Sequence, residues 1–240
     1  MSRFDSAIDM ENGFISQQGC LTAPLKASCS SIYWCRFDVS RYEADQAAML
    51  DIAVPSSLNR AAPKRLAEFV AGRNCARQAL YEYGARALPS IGDQRQPIWP
   101  NELWGSISHS DGIALAVVSP DLSIGLDIEC IVSEKTVQDT SHLILTLTER
   151  NRFQGLLTPE LYTLIFSVKE SFYKAAFPYV QRFFDFSAID VIDIQSEQQQ
   201  LTYRINQRLT DDLTTDVTGQ AYFSRPFPGH IMTFLALKTV

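Results

Sequence analysis

The 240-residue chain carries 27 acidic against 21 basic residues, a formal charge of −6, with 46% hydrophobic and 20% charged residues. That apolar content suits a globular protein of one large or two smaller domains, and the acidic balance argues against nucleic-acid binding, so any anionic ligand must be met by a few placed cations. No run approaches the roughly 20 apolar residues of a membrane span, no apolar signal segment accompanies Asp5, Asp9 and Glu11, and five cysteines without a C-x-x-C pair fit reduced thiols in the cytoplasm.

Residues 1–30 are polar and mixed and read as an irregular arm before Ser31-Ile32-Tyr33-Trp34-Cys35-Arg36-Phe37 opens a strand. Pro63 suits a first helical position, and Leu66, Phe69, Val70, Ala76, Ala79 and Leu80 recur at helical spacing until Gly84. Arg65, Arg73 and Arg77, eight and four residues apart, gather on one side of that helix as either a solvated row or an anion site. Residues 88–100 form a loop, followed by Trp104-Gly105-Ser106-Ile107-Ser108-His109-Ser110, the turn Asp111-Gly112 and the returning strand Ile113-Ala114-Leu115-Ala116-Val117-Val118, a hairpin pattern. Ser108 and His109 at its end could grip a phosphate, or His109 could be an ordinary hydrogen-bonding residue.

Pro120-Asp121 turns the chain into Ile124-Gly125-Leu126-Asp127-Ile128-Glu129, which would continue the hairpin as a compact meander. Alternation along a strand puts Asp127 and Glu129 on one face. Two carboxylates so close must bind a cation, gain a basic partner, keep a proton or meet water. With no His or Cys on that face, a bound cation would be a hard one such as Mg²⁺.

Thr148 is a candidate cap for a short helix, and Thr158-Pro159 begins a longer one that Pro178 should stop. In it Leu161, Leu164, Ile165, Val168, Phe172, Ala175 and Ala176 make one apolar stripe, with Glu170, Lys174, Phe166, Tyr173 and Phe177 on the other side. Glu170 and Lys174 could form a simple i,i+4 ion pair, or Glu170 could hold a metal. Residues 189–194, 201–205, 219–223 and 231–237 read as antiparallel strands. The element order gives an α+β fold in two similar halves, 1–122 and 123–240.

Three stretches, Gly105-Ser106-Ile107-Ser108-His109, Gly125-Leu126-Asp127-Ile128-Glu129 and Phe166-Ser167-Val168-Lys169-Glu170-Ser171-Phe172-Tyr173-Lys174, resemble in order the signature of the 4′-phosphopantetheinyl transferases. Within the family they are most like the surfactin-type group and its enterobactin synthase component D branch. Arg65, residues 71–77 and the 97–100 loop extend the likeness. The resemblance implies a pseudo-twofold monomer with the active site between its halves. It implies transfer of the phosphopantetheine arm from coenzyme A to a serine of an acyl or peptidyl carrier protein, in siderophore-type nonribosomal peptide synthesis. Carried over by position, Asp127, Glu129 and Glu170 would hold Mg²⁺, with Glu170 as general base and Lys174 as proton donor to the leaving group. Arg65, Arg73, Arg95, Ser108 and His109 would face the 3′-phosphate and adenosine, and Lys169 and Lys174 the pyrophosphate. A Mg²⁺-dependent nucleotide pyrophosphate hydrolase and a non-catalytic carrier-binding module are the competing readings. The aromatic group Phe177, Tyr179, Phe183, Phe184 and Phe186 could be core or carrier surface.

Overall fold

Each half of the chain sets a long helix against one face of a five-stranded antiparallel sheet. The computed structural model describes residues 4–9, 13–24 and 31–238, and the chain divides into two compact units, Met1–Asp121 and Leu122–Val240. Among the described residues no helix is long and apolar enough to cross a membrane.

In the first unit β1 (Phe4–Asp9), β2 (Ile15–Thr22), β3 (Ser31–Phe37), β7 (Ile113–Ser119) and β6 (Trp104–Ser110) lie side by side in that order. The expected irregular arm is therefore corrected where it is described, since residues 4–9 and 15–22 pair as strands. Gln17 and Gln18 interrupt the apolar alternation of β2, which is registered instead by its backbone ladder to β3. Residues 1–3, 10–12 and 25–30 lie outside the described residues. A one-turn helix α1 (Gln46–Met49) precedes α2 (Pro63–Tyr81), and β4 (Ser90–Ile91) pairs with β5 (Pro97–Ile98) in the 88–100 loop. Small residues Ala67, Ala71, Ala76 and Ala79 along α2 are buried, and the helix packs on β3, β6 and β7. Asp111 and Gly112, with φ of 42° and 79°, make the two-residue turn between β6 and β7, the left-handed pair that Asp-Gly accommodates.

In the second unit the order is β8 (Ser123–Cys130), β12 (His230–Leu237), β11 (Thr218–Ser224), β10 (Gln200–Ile205) and β9 (Ile189–Gln195). The compact meander expected from β6 through the acidic strand does not form. β8 joins β12 instead, in an unbroken register from Ser123 opposite Leu237 to Cys130 opposite His230. Helix α3 (Glu134–Ile144), not expected from the sequence, buries Val137 and Ile144 and is capped by Ser133, whose Oγ accepts from Thr136 N at 3.1 Å. The cap of α4 (Leu147–Arg152) is Thr146 rather than Thr148: its hydroxyl accepts from Glu149 N at 3.2 Å while Glu149 Oε2 accepts from Thr146 N at 2.9 Å. That reciprocal pair satisfies two otherwise orphaned donors, which Thr148 could not do.

Helix α5 (Pro159–Val180) starts as expected, with Thr158 Oγ1 accepting from Leu161 N at 3.1 Å. It runs through Pro178 and ends at Gln181, φ 48°. A proline this near the end removes little of the ladder, so Pro178 does not stop the helix where expected. Leu164, Ile165, Val168, Phe172, Ala175 and Ala176 are buried in the second core.

The helix packs on β8 and β12, and at Gly125 the fit is closest: a Cβ there would collide with the backbone carbonyl of Ser171. Gly125→Ala must therefore push α5 away from β8. We expect a loss of about 3 kcal/mol of unfolding free energy, read as a lower urea midpoint; a parental midpoint would show that the contact is not tight.

Candidate active site

Alternation along β8 turns Gly125, Asp127 and Glu129 to one face, and the approach at Gly125 identifies it as the face under α5. Asp127 is 2% exposed, Glu129 half-buried. On α5, Ser167, Ser171 and Lys174 follow one another at four and three residues, within about 60° of the helix circumference, and all three reach this sheet face. Ser167 Oγ donates to Asp127 Oδ2 at 2.7 Å, and Lys174 Nζ donates to Asp127 Oδ1 at 2.6 Å and to Leu126 O at 3.1 Å. The i,i+4 pairing of Lys174 with Glu170 is thus replaced by a reach across to the strand. Among the described residues Glu170 makes no ion pair at contact distance. Burial is the main cause lifting its proton affinity above that of an ordinary glutamate, the Lys174 ammonium opposes this and the Asp127 carboxylate adds to it.

Beside Glu170 opens a cavity of about 240 Å³ walled by Phe172, Tyr173, Phe183, Phe184 and Phe186. Of the aromatic group considered as core or surface, Phe177 and Phe184 are core, whereas Phe183 is 75% exposed. Lys169 also borders the cavity, but its ammonium turns inward to Ile144 O at 3.0 Å, Glu149 Oε2 at 2.7 Å and Phe186 O at 2.9 Å. All three of its donors are spent and the residue is 2% exposed. Lys169 is therefore a buried strut, and the coenzyme A contact expected of it is withdrawn. Burial pulls its pKa down and Glu149 pulls it back up.

In the first unit α2 and β6 bring a different set together. Arg65 Nη1 donates to His109 Nε2 at 3.2 Å. Because a guanidinium only donates, Nε2 is the acceptor and the imidazole proton sits on Nδ1, 3.8 Å from Glu68 Oε1. Arg73 is 7% exposed, lies 4.8 Å over the Phe69 ring and has no hydrogen-bond partner at Nε. Burial, with repulsion from Arg65, pulls its pKa down to about 10. A buried cation with a spare donor is unfavourable until an anion arrives, which suits Arg65 and Arg73 to a phosphate.

Three neighbours do not join this cluster. Arg77, twelve residues from Arg65 and so about 120° round the helix, bonds the carbonyls of Leu50 and Asp51. Ser108 is buried on the opposite face of β6 from His109, which shares the α2 side with Ile107; the paired side-chain grip expected of Ser108 and His109 is corrected by strand alternation. Arg95 is exposed in the β4 to β5 turn with φ 66°. Sequence reading also gave no role to Glu68, Glu149 or Thr233. Glu149 in an S/T-x-x-E pattern was open to detection, whereas Thr233 lies on another strand with no local signal.

The second-unit donors are hard carboxylate oxygens of the type a divalent ion takes, and Asp127 Oδ1 already faces a cation, the Lys174 ammonium at 2.6 Å. The oxygens of Asp127, Glu129 and Glu170 do not all lie within 4.8 Å of one another, so a shared ion would draw them together.

A family model described as 4′-phosphopantetheinyl transferase N-terminal domain matches residues 54–119, and another described as 4′-phosphopantetheinyl transferase superfamily matches residues 123–225. The chain is similar to enterobactin synthase component D of Salmonella typhi, 42% identical over 154 residues, covering 63% of this chain and 64% of that protein. It is 46% identical over 123 residues to enterobactin synthase component D of Escherichia coli (strain K12), 50% of this chain and 59% of that one. With 4′-phosphopantetheinyl transferase PptT of Mycobacterium tuberculosis it shares 30% identity over 162 residues, 65% and 70% of the two chains. The chain thus spans less than two thirds of the component D proteins.

The Glu170 environment gives a signed expectation. Its carboxyl should titrate above the usual 4.5, so its contribution to stability is full below that value and declines as pH rises through the shifted midpoint. Lys174→Met removes the one opposing charge and should move the midpoint further up. Carboxyl ¹³C NMR without added metal reads both; a midpoint at or below 4.5 in the parent would contradict the burial described.

Proposed function

Because the chain belongs to the 4′-phosphopantetheinyl transferase family, we propose that it moves the phosphopantetheine arm of coenzyme A onto a serine hydroxyl of an acyl or peptidyl carrier protein. Adenosine 3′,5′-bisphosphate is the other product. The observation that supports this most is Glu170, a half-buried carboxylate whose proton affinity is raised by burial, near Asp127 and Lys174 at the edge of an aromatic cavity.

Asp127, Glu129 and Glu170 would hold Mg²⁺, which when bound supplies positive charge to the pyrophosphate oxygens. Glu170 takes the proton of the carrier serine, directly or through a water, as its oxygen bonds to the β-phosphorus. The bond from that phosphorus to the oxygen of the α-phosphate breaks, and Lys174 offers charge and a proton to the departing oxygen. The aromatic cavity beside Glu170 suits the apolar stretches of the arm. Arg73, Arg65 and His109 are assigned to the 3′-phosphate, where bidentate guanidinium contacts discriminate a phosphate from a hydroxyl. Arg95 and Ser108 remain outer candidates, Ser108 through its backbone.

Likeness to enterobactin synthase component D makes carrier domains of siderophore-type peptide synthetases the first to test. Free thiols at Cys20, Cys35, Cys75 and Cys130 support a reducing, cytoplasmic setting.

Two variants test the assignment. Glu170→Gln should fold and lose at least about 100-fold in transfer to a carrier; transfer at the parental rate would remove both its roles. Arg73→Ala should raise KM for coenzyme A roughly tenfold or more and leave KM for dephospho-coenzyme A nearly unchanged. Equal effects on both substrates would detach Arg73 from the 3′-phosphate.

A further inference from the structure

Three hydroxyls lie fully buried behind Asp127, at positions where alanine or valine would pack without needing partners. Ser167 and Ser171 stand one turn apart on α5, and Thr233 lies directly opposite Asp127 in the β8 to β12 register. Its neighbours on the same strand face, Ile231 and Leu235, belong to the apolar core. A hydroxyl in such surroundings is unfavourable unless it is bonded.

Counting protons gives the cluster a direction. The Asp127 carboxylate has no proton to give, so Ser167 spends its only hydrogen on Oδ2 at 2.7 Å. The 2.9 Å contact between Ser167 Oγ and Thr233 Oγ1 must then be donated by Thr233. Thr233 has no second hydrogen, so Ser171 is the donor at their 2.7 Å contact, its one hydrogen shared between Thr233 Oγ1 and the carbonyl of Thr233 at 3.2 Å. The Ser167 and Thr233 protons both point toward the carboxylate, with Ser171 donating behind them.

We propose that Ser171, Thr233 and Ser167 are positioning residues for Asp127. Their one-way chain pins Oδ2 to the helix and turns Oδ1 toward the place where the Lys174 ammonium lies and a divalent ion would bind. The inference rests on the metal role given to Asp127 above. The chain also joins three elements, since it links α5, β12 and β8 at the level of the Gly125 contact. A carboxylate held through one oxygen loses its freedom to rotate, which makes the other oxygen a better ordered ligand.

The test is calorimetric titration of Mn²⁺ into the full chain saturated with coenzyme A. Ser167→Ala should weaken Mn²⁺ binding roughly tenfold. Thr233→Val, nearly isosteric, should weaken it roughly threefold, and Thr233→Ser, which keeps the hydroxyl, should restore the parental value. A purely structural cluster would lower the melting temperature of the variants and leave the Mn²⁺ affinity of folded protein alone. Parental affinity in both Ser167→Ala and Thr233→Val would overturn the proposal, and if one of the two fails to fold, the other decides. Asp127→Asn separates the levels. Loss of Mn²⁺ binding there, with no change in the hydroxyl variants, defeats only the positioning chain, whereas parental binding by Asp127→Asn defeats the metal assignment and the chain with it.

Discussion

The second unit is organised by the contact between the backbone of α5 and β8 at Gly125, where no side chain larger than hydrogen fits. A helix held that close covers the strand face that carries Asp127 and brings short side chains within bonding distance of it. Ser167 is long enough to reach Asp127 from the helix, and Lys174, two turns further on, crosses to both the carboxylate and Leu126 O. Had α5 packed at an ordinary helix to sheet distance, Asp127 would face solvent or an apolar layer, and its ionised form would lack these partners. Lys169 steadies the same helix from its other side by tying it to the carbonyls of Ile144 and Phe186 and to Glu149.

The two units use the same architecture for opposite charges. In the first, a helix over an antiparallel sheet buries the Arg73 guanidinium beside Arg65 and His109, with Glu68 as the local counter-charge. In the second, a helix over an antiparallel sheet buries Asp127 beside Glu170, with Lys174 as the counter-charge. Each cluster is held partly neutralised by one residue of opposite sign. Phosphate is the ligand proposed for the first and a divalent ion for the second.

Sequence periodicity made α2, α5, the β6 to β7 hairpin and β9 to β12 legible, because each has either a long apolar stripe or a turn with fixed backbone demands. β2 escaped it because glutamines stand where alternation calls for apolar residues, and α3 was not expected although Ser133 caps it. The acidic strand was legible as a strand but not its partner, since β8 pairs with a segment about 100 residues later rather than with its neighbour. Lys169 and Lys174 were both expected at the pyrophosphate, with Lys174 as the proton donor; the fold seals Lys169 in the core and brings Lys174 to the Asp127 carboxylate. Thr233 had no motif around it, and its place opposite Asp127 is a consequence of register alone.

The most direct measurement is anomalous diffraction from crystals grown with Mn²⁺ and coenzyme A. A manganese peak within bonding distance of Asp127 Oδ1, on the face of β8 beneath α5 and with Oδ2 still held by Ser167, is the predicted result. A peak bound elsewhere on the chain, with Lys174 still seated on Asp127, would contradict the central claim that this helix and strand junction is the metal site.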